Sequence, residues 1–530
     1  MHARNFHAGK SDGVWAIQAE SVTTQPRLVP APASLKVLGG IEFEIDLGTS
    51  IVVDGPESQP IGEYLAGLLR PSTGLPLPLT PITPVTPMTR TAKAAQTLPE
   101  NSLFLGLSIE GDLGSEGYTL DVAGPGITLI AGAPQGLFRG VQTLRQLLPP
   151  SVERKSVTSG PWNVPGVRIV DRPRWGWRGS MLDVARHFFS VADVKRHIDL
   201  ACRYKLNVLH LHLTDDQGWR IHIDRWPRLT QHGGSLEVGG TQGGYYTKDD
   251  YREIVSYAAA HYMTVVPEID MPGHTRAALA SYPELNCDGR PRPLYTGTDV
   301  GFSSLCIGKE VTDRFVDEVI AEIADLTPGP YIHIGGDEAA QTAPPEYITF
   351  MRRVDETIRH QKKSLVGWEE VAKAALSANS VVQFWNNGSG SHSGAELARK
   401  AVERGSKLVM SPSDRAYLDM KYDSKTSLGT KWAGFVDVRR AYEWDPADHI
   451  PEIGESDIAG VEAPIWTETI ATASDLEFMV WPRLAGIAEL GWVPARGSWD
   501  EYRVRLGAQG PRLEATGVNF FRSSEVPWEL

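Results

Sequence analysis

Cysteine is scarce in this chain. Three residues in 530, Cys202, Cys287 and Cys306, are too few for a disulfide framework or a cysteine-based zinc site. Cys202 falls in a helical pattern and reads as a small buried hydrophobe. Cys287 and Cys306 flank an irregular stretch, and a bridge between them or two free thiols are both open. Long apolar runs are also missing. No stretch of about 18 apolar residues occurs, so no segment reads as a membrane span. An excess of basic charge is missing too. The net charge of −13 provides no electrostatic footprint for nucleic acid. The 89 glycines and prolines are too few for a collagen-like chain, and 41% apolar with 22% charged residues is ordinary for a globular protein. Finally, the first 160 residues almost lack tryptophan. Trp15 stands alone there, and the other 14 lie between Trp162 and Trp528.

Length alone allows two to four domains. Residues 1–25 are polar and aperiodic and read as an N-terminal extension that frays. Residues 26–165 read as a small α+β domain. IEFEIDLGTSIVVD alternates as strands do, and a helix over 61–70 is expected to stop at Pro71. Six prolines from Pro71 to Pro87 mark a loop or edge segment. SLFLGLSI (102–109), YTLDV (118–122) and ITLIAGA (127–133) read as strands. A helix over 133–148 follows, with Leu137, Val141, Leu144 and Leu148 on one face. This domain concentrates no polar chemistry and reads as structural.

Residues 166–530 read as a (β/α)8 barrel, which makes the chain α/β in class. Eight apolar runs recur at 180–185, 208–214, 264–270, 331–337, 364–369, 380–385, 407–412 and 460–468. Helices are expected over 191–205, 247–262, 308–327, 345–362, 394–405 and 474–490. Only about ten residues separate the fifth and sixth runs, so one outer helix should be stunted. The 413–458 connection is long and irregular, as loops that carry chemistry are.

Polar residues collect where the runs end. They are Arg186 and His187, Asp215 and Asp216, Glu268, Asp270 and His274, then Gly335-Gly336-Asp337-Glu338. Later ends bring Trp368, Glu369 and Trp385, then Tyr417, Asp419 and Trp432, then Trp466 and Glu468. Carboxylates and arginine suit sugar hydroxyls, and indole faces suit the C–H faces of pyranose rings. Bland readings stand beside these. Asp215-Asp216 also fits a helix cap, and Glu369 a helix-start carboxylate. Trp175, Trp177, Trp226 and Trp528 read as packing. His210 and His212 share a strand face as a zinc H-x-H would, but no further ligand set accompanies them, so packed barrel histidines are favoured.

Asp337 and Glu338 are neighbours. In an extended segment their side chains should point in opposite directions, unlike the facing pair of an ordinary retaining glycosidase. That suggests that one acts as general acid and that the nucleophile belongs to the substrate.

HIGGDE (333–338), MLDVARHF (181–188), HLTDDQGWR (212–220), PEIDMPGH (267–274) and APIWTE (463–468) closely resemble family 20 glycoside hydrolases, the β-N-acetylhexosaminidases, and in particular bacterial, streptomycete-type enzymes. The likeness runs from about residue 26 to the C-terminus. It implies an exo-acting, retaining enzyme that removes terminal β-linked N-acetylglucosamine or N-acetylgalactosamine from oligosaccharides or glycoconjugates. Glu338 would be the general acid and then the base. The substrate's acetamido oxygen would attack the anomeric carbon, giving an oxazolinium, as is known for this family. Asp337 would support the acetamido N–H and Tyr417 the acetamido oxygen. Asp215 and His274 would be a dyad behind the acid. Trp368, Trp385 and Trp466 would wall the acetyl pocket. Arg186 would bind the 3- and 4-hydroxyls, Glu468 the 4-hydroxyl side and Asp419 the 6-hydroxyl. Trp432 would lie on the leaving-group side. No metal or organic cofactor is implied. The endo-acting chitinase motif D-x-x-D-x-D-x-E is not found. The resemblance favours an extracellular enzyme. Met1 to Pro30 shows no apolar core of a signal peptide, which keeps a cytoplasmic location open. The sequence is silent on oligomeric state.

Overall fold

The computed structural model describes residues 25–81, 100–108, 113–386 and 393–529. Most of the N-terminal extension, Pro84, Pro87 and most of the Asn/Gly/Ser-rich 386–394 segment lie outside the described residues.

Seven strands form the first sheet: β1 (Ser34–Glu44), β2 (Ser50–Val53), β3 (Leu79–Pro81), β4 (Ser102–Leu107), β5 (Tyr118–Val122), β6 (Gly126–Ala131) and β7 (Asn163–Asp171). Their order is β1-β7-β5-β6-β4-β2-β3. Buried and half-buried residues alternate along β5 and β6, because one face lies against helices. Those helices are α1 (Gln59–Thr73) and α2 (Pro134–Leu147). Pro71 does not end α1 as expected. It sits inside the last turn, and the helix closes three residues later on Gly74, whose φ of 68° is the left-handed cap that glycine favours. β7 pairs with β1 and β5, so the first domain runs to Asp171 and not to 165. Trp162 belongs to this domain's core, so the tryptophan step at 160 precedes the true junction.

The second sheet closes on itself. It is an eight-stranded barrel of β8 (Trp177–Asp183), β9 (Val208–His212), β10 (Thr264–Glu268), β11 (Tyr331–His333), β12 (Ser364–Trp368), β13 (Val381–Phe384), β14 (Lys407–Met410) and β15 (Ile458–Ile465). All of its neighbouring strands run parallel. The fifth and sixth strands are joined only by a 3-10 turn, Glu369–Lys373, which is the stunted connection. The helix expected over 474–490 is two helices, Ala473–Val480 and Arg483–Trp492. Pro482 separates them, since it cannot donate a helical N–H.

Alternation sends every second strand residue into the barrel. At the floor these are Trp177, Val208, Val266, Val366, Val381 and Val409, which form one apolar cluster. Further up they are His210, His212, Glu268, Trp368 and Glu462, all buried. The barrel interior therefore changes from apolar floor to ionisable rim.

The domains meet across a buried ion pair. Lys205 Nζ lies 2.9 Å from Asp171 Oδ2, and Tyr118 and Trp492 donate to the same carboxylate. Arg178 and Arg139 from the two domains share Glu116.

Candidate active site

Each rim residue is delivered by a strand end. At the end of β8, Asp183 accepts the backbone N–H groups of Ala185 and Arg186 at 2.8 and 3.1 Å, which turns the chain toward the barrel mouth. The Arg186 guanidinium then donates to Gln217 (3.1 Å), pairs with Asp215 (2.8 Å) and stacks over Trp466 (4.9 Å). Burial works against its charge, yet Asp215 and Asp183 hold it well above its ordinary range.

Asp215 follows β9. It does not cap a helix; it is a hub. Its Oδ2 accepts from His212 Nε2 at 2.8 Å, and its Oδ1 lies 3.1 Å from His274 Nδ1. Against the cost of burial, Arg186 and His274 push its carboxyl well below the ordinary range. Asp216 instead accepts from Arg276 N (2.9 Å), the first residue of the helix Arg276–Ser281, and from Ser303 Oγ (2.5 Å), so it is Asp216 that holds a helix start, tying it to a following loop.

β11 stops at His333, and the chain then leaves the extended region. Gly335, Gly336 and Glu338 have φ of 62°, 92° and 45°. A Cβ on Gly335 would lie 1.9 Å from Asp270 Oδ1, so only glycine fits. This turn overturns the expected opposite orientation of Asp337 and Glu338. Both carboxylates approach His274 Nε2, at 3.6 and 3.4 Å. What separates them is depth: the Asp337 side chain is 11% exposed and that of Glu338 36%. Burial, with Glu370 and Glu338 nearby, raises the Asp337 carboxyl to about 7 despite the opposing pull of His274. Asp337 Oδ1 is buried without a hydrogen-bond partner among the described residues.

Aromatic rings form a continuous wall beside Asp337. Trp368 contacts Trp466 (5.8 Å between centroids), Trp466 contacts Tyr417 (6.3 Å) and Tyr417 stacks near Trp385 (6.4 Å). Trp432 closes the row edge-on to Trp385 at 6.0 Å and is 58% exposed. Asp419 is buried, and its Oδ1 also lacks a partner among the described residues. Burial and the neighbouring Glu468 raise the Asp419 carboxyl to about 8. Burial likewise raises Glu468, against Arg186.

His210 and His212 do point into the barrel together, but toward carboxylates. His210 Nδ1 lies 2.8 Å from Glu462, and His212 bridges Glu268 (2.7 Å) and Asp215 (2.8 Å). Donor groups with metal-like spacing occur here, such as His212-Asp215-Asp270 and Asp270-His274-Asp337. Of these atoms, those of His212, Asp215 and His274 are already aimed at one another, which is the packed-histidine arrangement. Glu369 is a loop anchor that accepts the backbone N–H groups of Trp385 and Asn386 at 2.8 and 3.2 Å.

Four residues near the site had no role assigned from sequence. Gln217 joins Arg186 to Gly297 O, and Asp183 orients Arg186. Glu370 accepts the Trp385 indole N–H at 3.1 Å, and Asp270 underlies the glycine turn by accepting from Gly336 N. Asp183, Gln217 and Asp270 lie inside the quoted motifs, which was the available signal. Cys287 and Cys306 are bonded. The loop that they close reaches the mouth, where Gly301 lies against the Glu338 carbonyl.

Residues 175–346 and 340–495 match the glycosyl hydrolase family 20 catalytic domain, and residues 25–172 match domain 2 of the same family. The chain belongs to glycoside hydrolase family 20. It is an enzyme, a glycoside hydrolase of the β-N-acetylhexosaminidase kind. A β-N-acetylhexosaminidase from Cellulomonas fimi is 38% identical over 505 residues, covering 94% of this chain and 97% of the relative. The fold is similar to the family 20 β-N-acetylhexosaminidase of Streptomyces coelicolor A3(2), with a TM-score of 0.90 and 51% identity over 95% of this chain and 99% of that one. It is also similar to a mutant Streptomyces plicatus β-hexosaminidase in complex with its product GlcNAc. The TM-score there is 0.89, with 52% identity over 95% of this chain and 98% of that one.

Proposed function

We propose that the enzyme removes terminal, non-reducing β-linked N-acetylhexosamine from oligosaccharides or glycoconjugates by a retaining, substrate-assisted route. One observation supports this most. Asp337 holds a buried oxygen with no partner among the described residues, beside an aromatic box. A buried acceptor left unsatisfied is costly, so the site is built for a ligand that brings a donor. An acetamido group brings an N–H for Asp337 and a methyl for the indoles of Trp368, Trp385 and Trp466. The unpartnered Asp419 oxygen suits a sugar hydroxyl in the same way, with Arg186 and Glu468 on neighbouring hydroxyls. The GlcNAc bound to the Streptomyces plicatus relative is of this chemistry.

In this reading Glu338, at the mouth, protonates the leaving oxygen. The acetamido oxygen, oriented by Tyr417, attacks the anomeric carbon as the exocyclic bond breaks. Asp337 stabilises the positive charge that develops on the acetamido nitrogen. Water, deprotonated by Glu338, then opens the oxazolinium with net retention. Asp215 holds His274 behind both carboxylates, and Trp432 offers an exposed face to the aglycone. The Cys287–Cys306 bond supports an oxidising, extracellular location, where such bonds persist.

The test is a panel of β-N-acetylglucosaminides, β-N-acetylgalactosaminides and plain β-glucosides. Hydrolysis confined to the acetamido sugars is expected. Comparable turnover of plain glucosides overturns the substrate-assisted route.

A further inference from the structure

The Asp215–His274 pair is the end of a longer run. Beneath it, His212 Nδ1 lies 2.7 Å from Glu268 Oε2, and His212 Nε2 lies 2.8 Å from Asp215 Oδ2. The other Glu268 oxygen, Oε1, accepts the indole N–H of Trp368 at 3.0 Å. One buried carboxylate thus holds both the base of the aromatic box and the imidazole that holds Asp215. The structure assigns Glu268 and His212 as positioning residues that tie Trp368, at the base of the box, to His274 beside Glu338 through a single hydrogen-bonded run. This deepens the proposed function and rests on Glu338 as the general acid.

Donor and acceptor counting gives the run its direction. Ionised carboxylates only accept, so His212, flanked by two of them, must carry hydrogen on both ring nitrogens. Asp270 also faces His212, the Trp466 ring lies edge-on at 4.9 Å, and His210 and His333 approach Glu268 at 2.9 and 3.0 Å. Burial opposes the His212 charge, but Glu268 and Asp215 hold that imidazole well above its ordinary range. A doubly protonated His212 and Arg186 together occupy Asp215 Oδ2, at 2.8 Å each. That leaves Oδ1 to His274, and His274 Nε2 then faces Glu338 at 3.4 Å. Glu268 and His212 themselves are fully buried beneath the residues that would meet substrate. Their contribution is angular: they hold the imidazole that sets the acid and the indole that sets the acetamide.

Leaving-group dependence separates this role from a merely structural one. A variant that only lowers the folded fraction loses activity equally on every aglycone. A variant that misplaces the acid loses most where protonation matters most. Glu268→Gln and His212→Gln should lower kcat/KM on an alkyl N-acetylglucosaminide by roughly 10- to 100-fold, a part of the 10²–10⁴ that general acid catalysis contributes. On an activated dinitrophenyl N-acetylglucosaminide the loss should be only a few-fold. His212→Gln should add no further loss in an Asp215→Asn background, because both changes cut the same run. Equal losses on both aglycones, or losses that multiply in the double variant, overturn the inference.

Glu338→Gln is run alongside. If it shows no leaving-group dependence, the acid assignment itself fails. If it does and Glu268→Gln does not, the run alone fails. The unmodified enzyme gives a reading independent of any variant's folding. With ¹⁵N-labelled histidine, His212 should show both ring nitrogens protonated from acid to neutral pH. A neutral His212 tautomer overturns the run.

Discussion

The two sheets of this chain are made from similar apolar strands, yet their interiors differ in kind. Under α1 and α2 the first sheet buries Ile51, Val53, Leu105, Leu120, Ile127 and Leu129. The barrel buries Glu268, Glu462, His210, His212 and His333 at the equivalent inward positions. Hydrophobes of the same volume would be as stable or more so, because desolvating an ion costs several kcal/mol before any pairing is counted. The helix-covered face of the first sheet meets only the demand of packing. The barrel meets a second demand, holding charged groups where substrate chemistry needs them. The contrast predicts that substitutions at the barrel rim reduce turnover with little effect on folding, and that substitutions along the first domain do the reverse.

The sharpest way to break that contrast is Glu338→Gln. It removes the proton donor while keeping shape, and hydrolysis of N-acetylglucosaminides with poor leaving groups should fall by about 10²–10⁴. Thermal unfolding should barely move, since this side chain is the most exposed of the rim carboxylates near His274. Asp337→Asn comes next, with kcat expected to fall by about 10²–10³, the range for a lost electrostatic stabiliser. A thiazoline mimic of the oxazolinium should also bind more weakly to that variant. Near-normal turnover by Asp337→Asn removes Asp337 from the mechanism.

The rim was legible from sequence because a barrel strand end is a fixed address. Once eight apolar runs are counted, Arg186, Asp215, Glu338 and Glu468 are placed by their distance from a run. Geometry within a loop was not legible in that way. An extended segment makes Asp337 and Glu338 diverge. Gly335 and Gly336 instead turn the backbone through positive φ, and the pair converges on His274. The interior run was hidden for a related reason. Glu268 and His212 are 56 residues apart, and only the register of β9 against β10 sets them side by side. Pro71 and Pro482 depart from the sequence expectation in opposite directions. α1 runs through Pro71 to its end, whereas Pro482 divides the later helical stretch, and periodicity alone does not say which applies.

Below catalysis in size come the effects on folding, which should belong to the first domain and its junction. Lys205→Met leaves Asp171 charged and buried without its cation, and unfolding in urea should show a loss of about 3–5 kcal/mol. The junction should also govern acid sensitivity. Against the cost of burial, Arg178 and Arg139 hold the Glu116 carboxyl down at about 2, from an ordinary 4.5. A depressed carboxyl stabilises the fold above its unfolded value, and that contribution is lost as pH falls from about 4.5 toward 2. At 1.36 kcal/mol per unit the amount is about 3 kcal/mol. Glu153, held to about 2 by Arg145 and Arg203 against its burial, should behave alike. Glu116→Gln should therefore flatten the acid limb of a stability–pH curve. An unchanged limb places the acid-sensitive groups elsewhere.

The smallest expected effect tests the barrel's own edge. Trp432 is 58% exposed and meets Trp385 and Tyr417 in edge-to-face contacts. It contributes little to folding, so Trp432→Ala should leave thermal unfolding unchanged. Its free face is available to whatever lies beyond the scissile bond. An aromatic contact of this kind is worth about 0.5–1.5 kcal/mol, which corresponds to a few-fold to about tenfold in kcat/KM. That loss should appear for a disaccharide of N-acetylglucosamine and vanish for a methyl aglycone, which has nothing to place on the ring. Equal losses on both substrates would show that Trp432 acts by bracing Trp385 and the acetamide box. The aromatic row would then be one pocket wall with no separate leaving-group side.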